Sequence, residues 1–308
     1  MAPTSVLRPV TRRISIVFLL AAALAASAGA TVKPPLLREE LRLAYGAHVR
    51  PHMLLMTLGG PVYCGQLFEL AAYLDASVVC ADYGQNGELS GLSRSKRVED
   101  WGDPAYLAAA ARLPASLERE GVKVSQLVLL GASYAGYANA ELVATHPELR
   151  PRALIVVDSF LDLPERYRAL VPGQETRAEM EKVLGGTLAR RASVYESHSP
   201  SHHLDGIAAA MRGGMRFVDL WSTAPAEKRE FNGATCTALA NARWLAALST
   251  RLDRPVVGYV TRLRHGGALR NWWREVLAFA GVDRPFRKLL ADVVTFRPDG
   301  VVPPGSVC

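Results

Sequence analysis

The chain has 308 residues, 49% hydrophobic and 21% charged, the composition of an ordinary globular protein able to bury a substantial core. Its formal net charge of +7 is dispersed, with no dense basic patch interleaved with aromatics, which sets nucleic-acid binding aside. No internal repeat or low-complexity tract is evident.

Arg8, Arg12 and Arg13 precede the apolar run ISIVFLLAAALAA, which ends in the small residues SAGA. This is the pattern of a signal peptide over residues 1–30, with cleavage expected after about Ala30 and secretion of the mature chain. The run is too short for a membrane span and no later stretch reaches spanning length, so no stable membrane span is expected after cleavage. Cleavage removes three arginines and no acid, lowering the net charge from +7 to +4.

From residue 52 short apolar runs alternate with helical spacing. MLLMTL (53–58), ASVVCA (76–81), QLVLL (126–130) and ALIVVD (153–158) read as strands buried on both faces. Between them, 65–74, 104–119 and 135–146 carry helical spacing, the last closing where Pro147 and Pro151 mark the exit. This alternation predicts an α/β fold with a mostly parallel sheet flanked by helices. After Asp158 the rhythm breaks. Residues 163–250 are rich in helix formers and are expected to form a helical cap inserted between core segments at 31–162 and 251–308. Strand–helix alternation returns with PVVGYVT (255–261), a helix over about 268–280, and ADVVTF (291–296), before the proline-rich tail RPDGVVPPGSVC.

Four cysteines, Cys64, Cys80, Cys236 and Cys308, form an even set in a chain expected in an oxidising compartment, so disulfide bonds are expected. Three pairings are open, and Cys80, mid-strand, also fits a buried thiol. Cys236, at a helix start after Asn232-Gly233, fits a disulfide partner better than a reactive thiol. No C-x-x-C pair marks a structural zinc site, and no metal or cofactor is expected.

The stretch LVLLGASYAGY (127–137) runs from a strand through Gly131, Ala132, Ser133, Tyr134, Ala135 and Gly136 directly into a helix. Small residues let the backbone turn sharply there and lift the serine hydroxyl above the sheet, while the helix start sets amide hydrogens beside it. This arrangement resembles the nucleophile elbow of the α/β-hydrolase family, whose usual G-x-S-x-G has Ala135 in its last position here. LGGP (58–61) is similar to that family's glycine-rich oxyanion loop, and CADYGQNGELSG (80–91) to the turn after its fourth strand. The resemblance covers roughly residues 50–160, with weaker agreement over 250–300.

What the resemblance implies is a serine nucleophile at Ser133, an oxyanion hole from the amides of Gly60 and Tyr134, and a carboxylate and a histidine later in the chain. Asp158, ending the strand after the elbow helix, stands where some members carry the acid, with Asp162 as the alternative. The family's histidine follows its last strand, and this chain has no histidine after His265. His265, in TRLRHGG beside Gly266 and Gly267, is therefore the expected base, with the cluster His198, His202 and His203 as a second source from the cap. The spacing of His198 and His202 would also suit a metal if helical, but Ser199-Pro200-Ser201 between them argues for a loop. His48, His52 and His146 read as structural, and Trp221, Trp244, Trp272 and Trp273 as packing residues. The function implied is a serine hydrolase cleaving an ester or related acyl bond of a small-molecule substrate. Two alternatives stand beside it: a peptidase acting at N-terminal residues, and a catalytically silent hydrolase fold binding an apolar ligand beneath its cap. The sequence leaves the oligomeric state open.

Overall fold

The computed structural model describes residues 37–42, 53–58, 76–83, 101–119, 124–222, 234–261, 276–278, 280–282 and 294–296. The expected signal segment 1–30, the helix at 65–74, Gly60 and its loop, His48, His52, His265, Trp272, Trp273, Cys64 and Cys308 lie outside those residues. Cys80 and Cys236 contribute backbone to the third strand and the last long helix, and their side chains are likewise outside the description.

Among the described residues eight strands form one sheet: β1 (Leu37–Arg42), β2 (Met53–Leu58), β3 (Ser77–Tyr83), β4 (Gln126–Ala132), β5 (Ala153–Val157), β6 (Arg216–Ser222), β7 (Gly258–Thr261) and β8 (Val294–Phe296). Their order is β1-β3-β2-β4-β5-β6-β7-β8. The six central strands are parallel, and β1 and β8 run antiparallel at the two edges. The four apolar runs expected as central strands are strands, because each is buried on both faces. Leu54, Met56, Leu129, Leu154 and Val156 enter one core layer. Their neighbours Met53, Leu55, Val128, Leu130, Ile155 and Val157 enter the other, against Val276, Leu277, Ala280 and Val282.

The described helices in chain order are α1 (Pro104–Ala111), α2 (Leu113–Arg119), α3 (Tyr134–Thr145), α4 (Leu163–Ala169), α5 (Glu175–Val183), α6 (Leu188–Ser197), α7 (Leu204–Arg212) and α8 (Ala234–Leu252). The expected 104–119 helix is two, broken at Arg112 before Leu113-Pro114. Asp103 starts α1 by accepting the Ala105 and Tyr106 amides at 2.8 and 3.3 Å. Asp162 starts α4 by accepting the Glu165 amide at 2.8 Å.

Residues 163–250 contain a strand as well as helices. After α4 to α7 the chain rejoins the sheet as β6, pairing Val156 with Asp219 on one side and Leu220 with Tyr259 on the other. The helical excursion thus closes near 212, and its sequence hid the strand because Arg216 and Asp219 interrupt the apolar run RFVDLWS. The edge strand β1, LREELR, also has no counterpart among the expected elements; its charges suit an edge and mask its strand character.

The elbow helix α3 is buried from Tyr134 to Ala144, between the sheet and the excursion. Helix α7 lies so close to it that a Cβ built on Gly206 would sit 1.8 Å from the Ala144 carbonyl oxygen. Gly206→Ala should force α7 away from α3 and lower unfolding free energy by about 1–3 kcal/mol, measured by urea denaturation.

Candidate active site

The chain passes from β2 outward to β3, then returns to the other side of β2 to lay down β4, β5, β6 and β7. The carboxyl ends of β2 and β4 therefore flank the point where strand order reverses, the place where open parallel sheets hold their ligands. Ser133 follows β4 at that point, and the glycine loop follows Leu58 of β2. Asn139, one and a half turns into α3, accepts the Leu58 amide at 3.0 Å and so fastens the end of β2 to the elbow helix.

Ser133 has φ 52° and ψ −125°, a conformation that non-glycine residues rarely adopt, with a cost of about 1–3 kcal/mol. Its amide donates to the Val157 carbonyl at 2.8 Å, extending the β4–β5 ladder one residue beyond the Ala132–Val157 pair. Its carbonyl accepts the Tyr137 amide at 3.2 Å and the Ser159 hydroxyl at 2.7 Å. A Cβ at Gly131 would meet the Ala135 backbone at 2.5 Å, and one at Gly136 would meet the Ser159 Cβ at 2.8 Å. The glycines at 131 and 136 are thus required by the contact of strand, helix and β5 exit.

Asp158 occupies the matching corner on β5, buried, at φ 52°, with its amide donating to the Leu220 carbonyl at 2.7 Å. Ser133 and Asp158 thus leave adjacent strands one residue after their last paired residues. Asp162, the alternative acid, is engaged elsewhere: beside capping α4 it accepts the Ser201 hydroxyl at 2.7 Å, with His202 Nε2 3.8 Å away.

The cap histidines are also spoken for. His198 Nδ1 donates to the Trp101 carbonyl at 2.8 Å, and the His198 carbonyl accepts the Tyr137 hydroxyl at 2.7 Å. His203 Nε2 lies 2.9 Å from the Ser197 carbonyl and 3.6 Å from Glu141 Oε1. Glu141 is eight residues along α3, about 12 Å from the serine corner at the helical rise of about 1.5 Å per residue. Pro200–His202 forms a 3₁₀ turn. Among the described residues no group of three or more His, Cys, Asp and Glu could hold a metal ion, and no helix is long and apolar enough to cross a membrane. His146, at the end of α3, sits 2.9 Å from Glu148.

Four residues beside the corner escaped the sequence reading. Trp101, with φ 50°, is an unusual conformation for so bulky a residue. It stacks on Phe160 at 5.9 Å, meets Tyr134 edge-on at 5.6 Å, and donates Nε1 to Glu179 of α5 at 3.3 Å. The other three are Ser159, Asp219 and Asn241, all buried. Asn241 of α8 donates Nδ2 to the Ser159 carbonyl at 3.0 Å and to Asp219 Oδ2 at 3.2 Å. Burial drives the Asp219 carboxyl up to about 7, the nearby Trp221 and Asn241 side chains oppose the rise, and the charge of Asp158 adds to it. An aspartate inside an otherwise apolar strand was the one available signal for this cluster.

Known structures bear out the architecture. MPT51 of Mycobacterium tuberculosis superposes with a TM-score of 0.52 at 16% identity, over 81% of this chain and 94% of that one. The chain has the α/β-hydrolase fold. A puromycin-hydrolyzing peptidase of Mycobacterium tuberculosis shares this hydrolase fold at TM-score 0.52 and 15% identity, over 84% of this chain and 40% of that one. The acylaminoacyl peptidase of Pyrococcus horikoshii matches at TM-score 0.54 and 12% identity, over 80% of this chain and 38% of that one. This chain thus spans well under half the length of the two peptidases. In sequence, no family model and no curated protein matches it.

A carboxyl held neutral by burial costs stability as pH rises. The unfolded Asp219 releases its proton near 3.8 and the folded one near 7, so between these values the folded state binds more protons and stability falls with increasing pH. Asp219→Asn removes that dependence. Its unfolding free energy relative to wild type should be higher at pH 8 than at pH 4 by a few kcal/mol, as measured by denaturant titration at both.

Proposed function

We propose that the protein is a serine hydrolase that cleaves an ester or related acyl bond through an acyl-enzyme on Ser133. The observation that carries this reading is the Ser133 corner itself, a strained serine between the end of a parallel strand and the start of a buried helix, at the sheet's switch point. A serine kept small and flexible merely for packing has no need of φ 52° and ψ −125°.

In this reading the Ser133 hydroxyl loses its proton to His265 and attacks the acyl carbon. The amides of Tyr134, first residue of α3, and of Gly60 hold the developing oxyanion, and Asp158 orients the imidazolium. His265 then protonates the leaving group, and water releases the acyl chain by the reverse sequence. Topology supports His265. Strand β7 runs parallel to β6 and ends at Thr261, four residues before His265, at the same sheet edge as Ser133 and Asp158. Strand β8 runs antiparallel, with Phe296 paired to Gly258 at the start of β7, so the chain leaves β8 at the opposite edge. A base placed after the last strand would start from the wrong side of the sheet.

Two of the similar structures are named as peptidases, which favours an amide as the second candidate bond. Parallel assays with p-nitrophenyl esters and aminoacyl p-nitroanilides separate the two. Secretion rests on the sequence of residues 1–30, and sequencing the N-terminus of the protein from culture medium would test it.

A fluorophosphonate probe should label the wild-type protein at Ser133, and labelling should vanish in Ser133→Ala. No labelling at any pH between about 6 and 9, a range over which an ordinary histidine loses its proton, would refute the enzymatic reading. His265→Ala should lower turnover about 10²–10⁴-fold with the protein still folded; a histidine outside the reaction would leave the rate unchanged.

A further inference from the structure

The buried Asp219 takes no part in the proposed reaction, yet it ends a chain of hydrogen bonds that begins at the nucleophile. The Ser133 carbonyl accepts the Ser159 hydroxyl at 2.7 Å. The Ser159 carbonyl accepts Asn241 Nδ2 at 3.0 Å, and the same nitrogen lies 3.2 Å from Asp219 Oδ2. We propose that Asp219 is a positioning residue for the nucleophile: through Asn241 and Ser159 it fastens the backbone of the serine corner to β6 and α8. The inference rests on the reading of Ser133 as the nucleophile.

Three features argue that this chain of contacts does more than fill space. Ser133 sits in a conformation that persists only where its surroundings over-determine it, and the Ser159 hydroxyl is one of the bonds that hold it there. Gly136 leaves room for Ser159, since a Cβ there would come within 2.9 Å of the Ser159 hydroxyl oxygen. Finally, an aspartate and an asparagine buried at 0% and 1% exposure are costly in a core that leucines could fill, and they face each other at the base of the corner.

The form of Asp219 that serves is the neutral one. Asp219 Oδ1, Asn241 Oδ1 and Trp221 Nε1 have no protein partner among the described residues. A proton on the carboxyl adds a second donor, beside the indole N–H of Trp221, to a cluster with two unpartnered acceptors. Burial raises the carboxyl to about 7, so the proton stays largely in place below that pH. From β5 the charged group acting on Asp219 is Asp158; α8 presents the neutral Asn241, with Arg243 turned to solvent. From β7, Tyr259 packs with Leu220 in the core layer on the other face of the sheet.

The test uses the full chain and resolves fluorophosphonate labelling of Ser133 into reagent affinity and bond-forming rate, alongside hydrogen exchange of the amides at 131–137. Asp219→Leu, Asn241→Leu and Ser159→Ala should each slow bond formation about tenfold or more while reagent affinity stays within about twofold, since a small displacement of a reacting group costs rate before it costs binding. Exchange at 131–137 should quicken in all three. The Asp219→Leu/Asn241→Leu pair should be no slower than the worse single variant, because both cut one chain of contacts. Asp219→Asn, which keeps a neutral acceptor for Asn241, should restore the wild-type rate. Wild-type labelling and exchange in Asp219→Leu, or an Asp219→Asn variant as slow as Asp219→Leu, would overturn the proposal. A wild-type Ser133 that takes no reagent, with exchange still quickened in Asp219→Leu and restored in Asp219→Asn, would refute the serine chemistry and uphold the positioning role.

Discussion

The hydrogen bond from the Ser133 amide to the Val157 carbonyl, 2.8 Å long, is the last rung of the β4–β5 ladder, and the carbonyl of the same residue opens helix α3. One residue therefore answers to two periodic structures whose axes point in different directions. The backbone satisfies both by entering a region with positive φ, and strand and helix must then pass within contact of each other. That requirement explains the glycines at 131 and 136, each of which abuts backbone or the Ser159 side chain. It also explains why α3 is buried nearly throughout, because a helix that starts so close to the sheet must run beneath whatever covers the site.

Parallel strands give the corner its company. All six central strands deliver their carboxyl ends to one edge, so Leu58, Tyr83, Ala132, Val157, Ser222 and Thr261 all lie on the serine side. The two antiparallel strands lie at the margins and return the chain to the other edge. Residues from distant parts of the sequence are thus brought to one edge by strand direction.

Much of this was legible in the residues. The strands β2, β4 and β5 are apolar on both faces and stand where their sequence places them, and the serine corner announces itself through small residues at fixed offsets. What stayed hidden has a common cause. Strand β6 contains a charged residue at its centre, and local pattern reading treats Asp219 as a break, whereas the fold satisfies it with Asn241 from a helix 22 residues away in sequence. Trp101 lies in a turn, and its place over Tyr134 and Phe160 depends on tertiary contacts that no period encodes. The cap histidines suggested a base because they are close together in sequence; each instead meets a carbonyl or carboxylate that fixes it in the excursion or against α3.

The two buried carboxyl groups, Asp158 and Asp219, stand on neighbouring strands at one edge, and their electrostatics decide what that edge can do. Two negative charges close together in a dry site repel, so the charge of one raises the pKa of the other. The fold meets this by burying Asp219 completely, so that below about pH 7 its carboxyl is largely a neutral hydrogen-bonding group. Under the proposed function the division resembles an acid pair set to different tasks by environment, Asp158 at the strand end serving the reaction and Asp219 inside the strand the backbone of the corner. In the proposed reading a corner built under strain uses both, the charge for the reaction at Ser133 and the neutral partner to keep Ser133 in place.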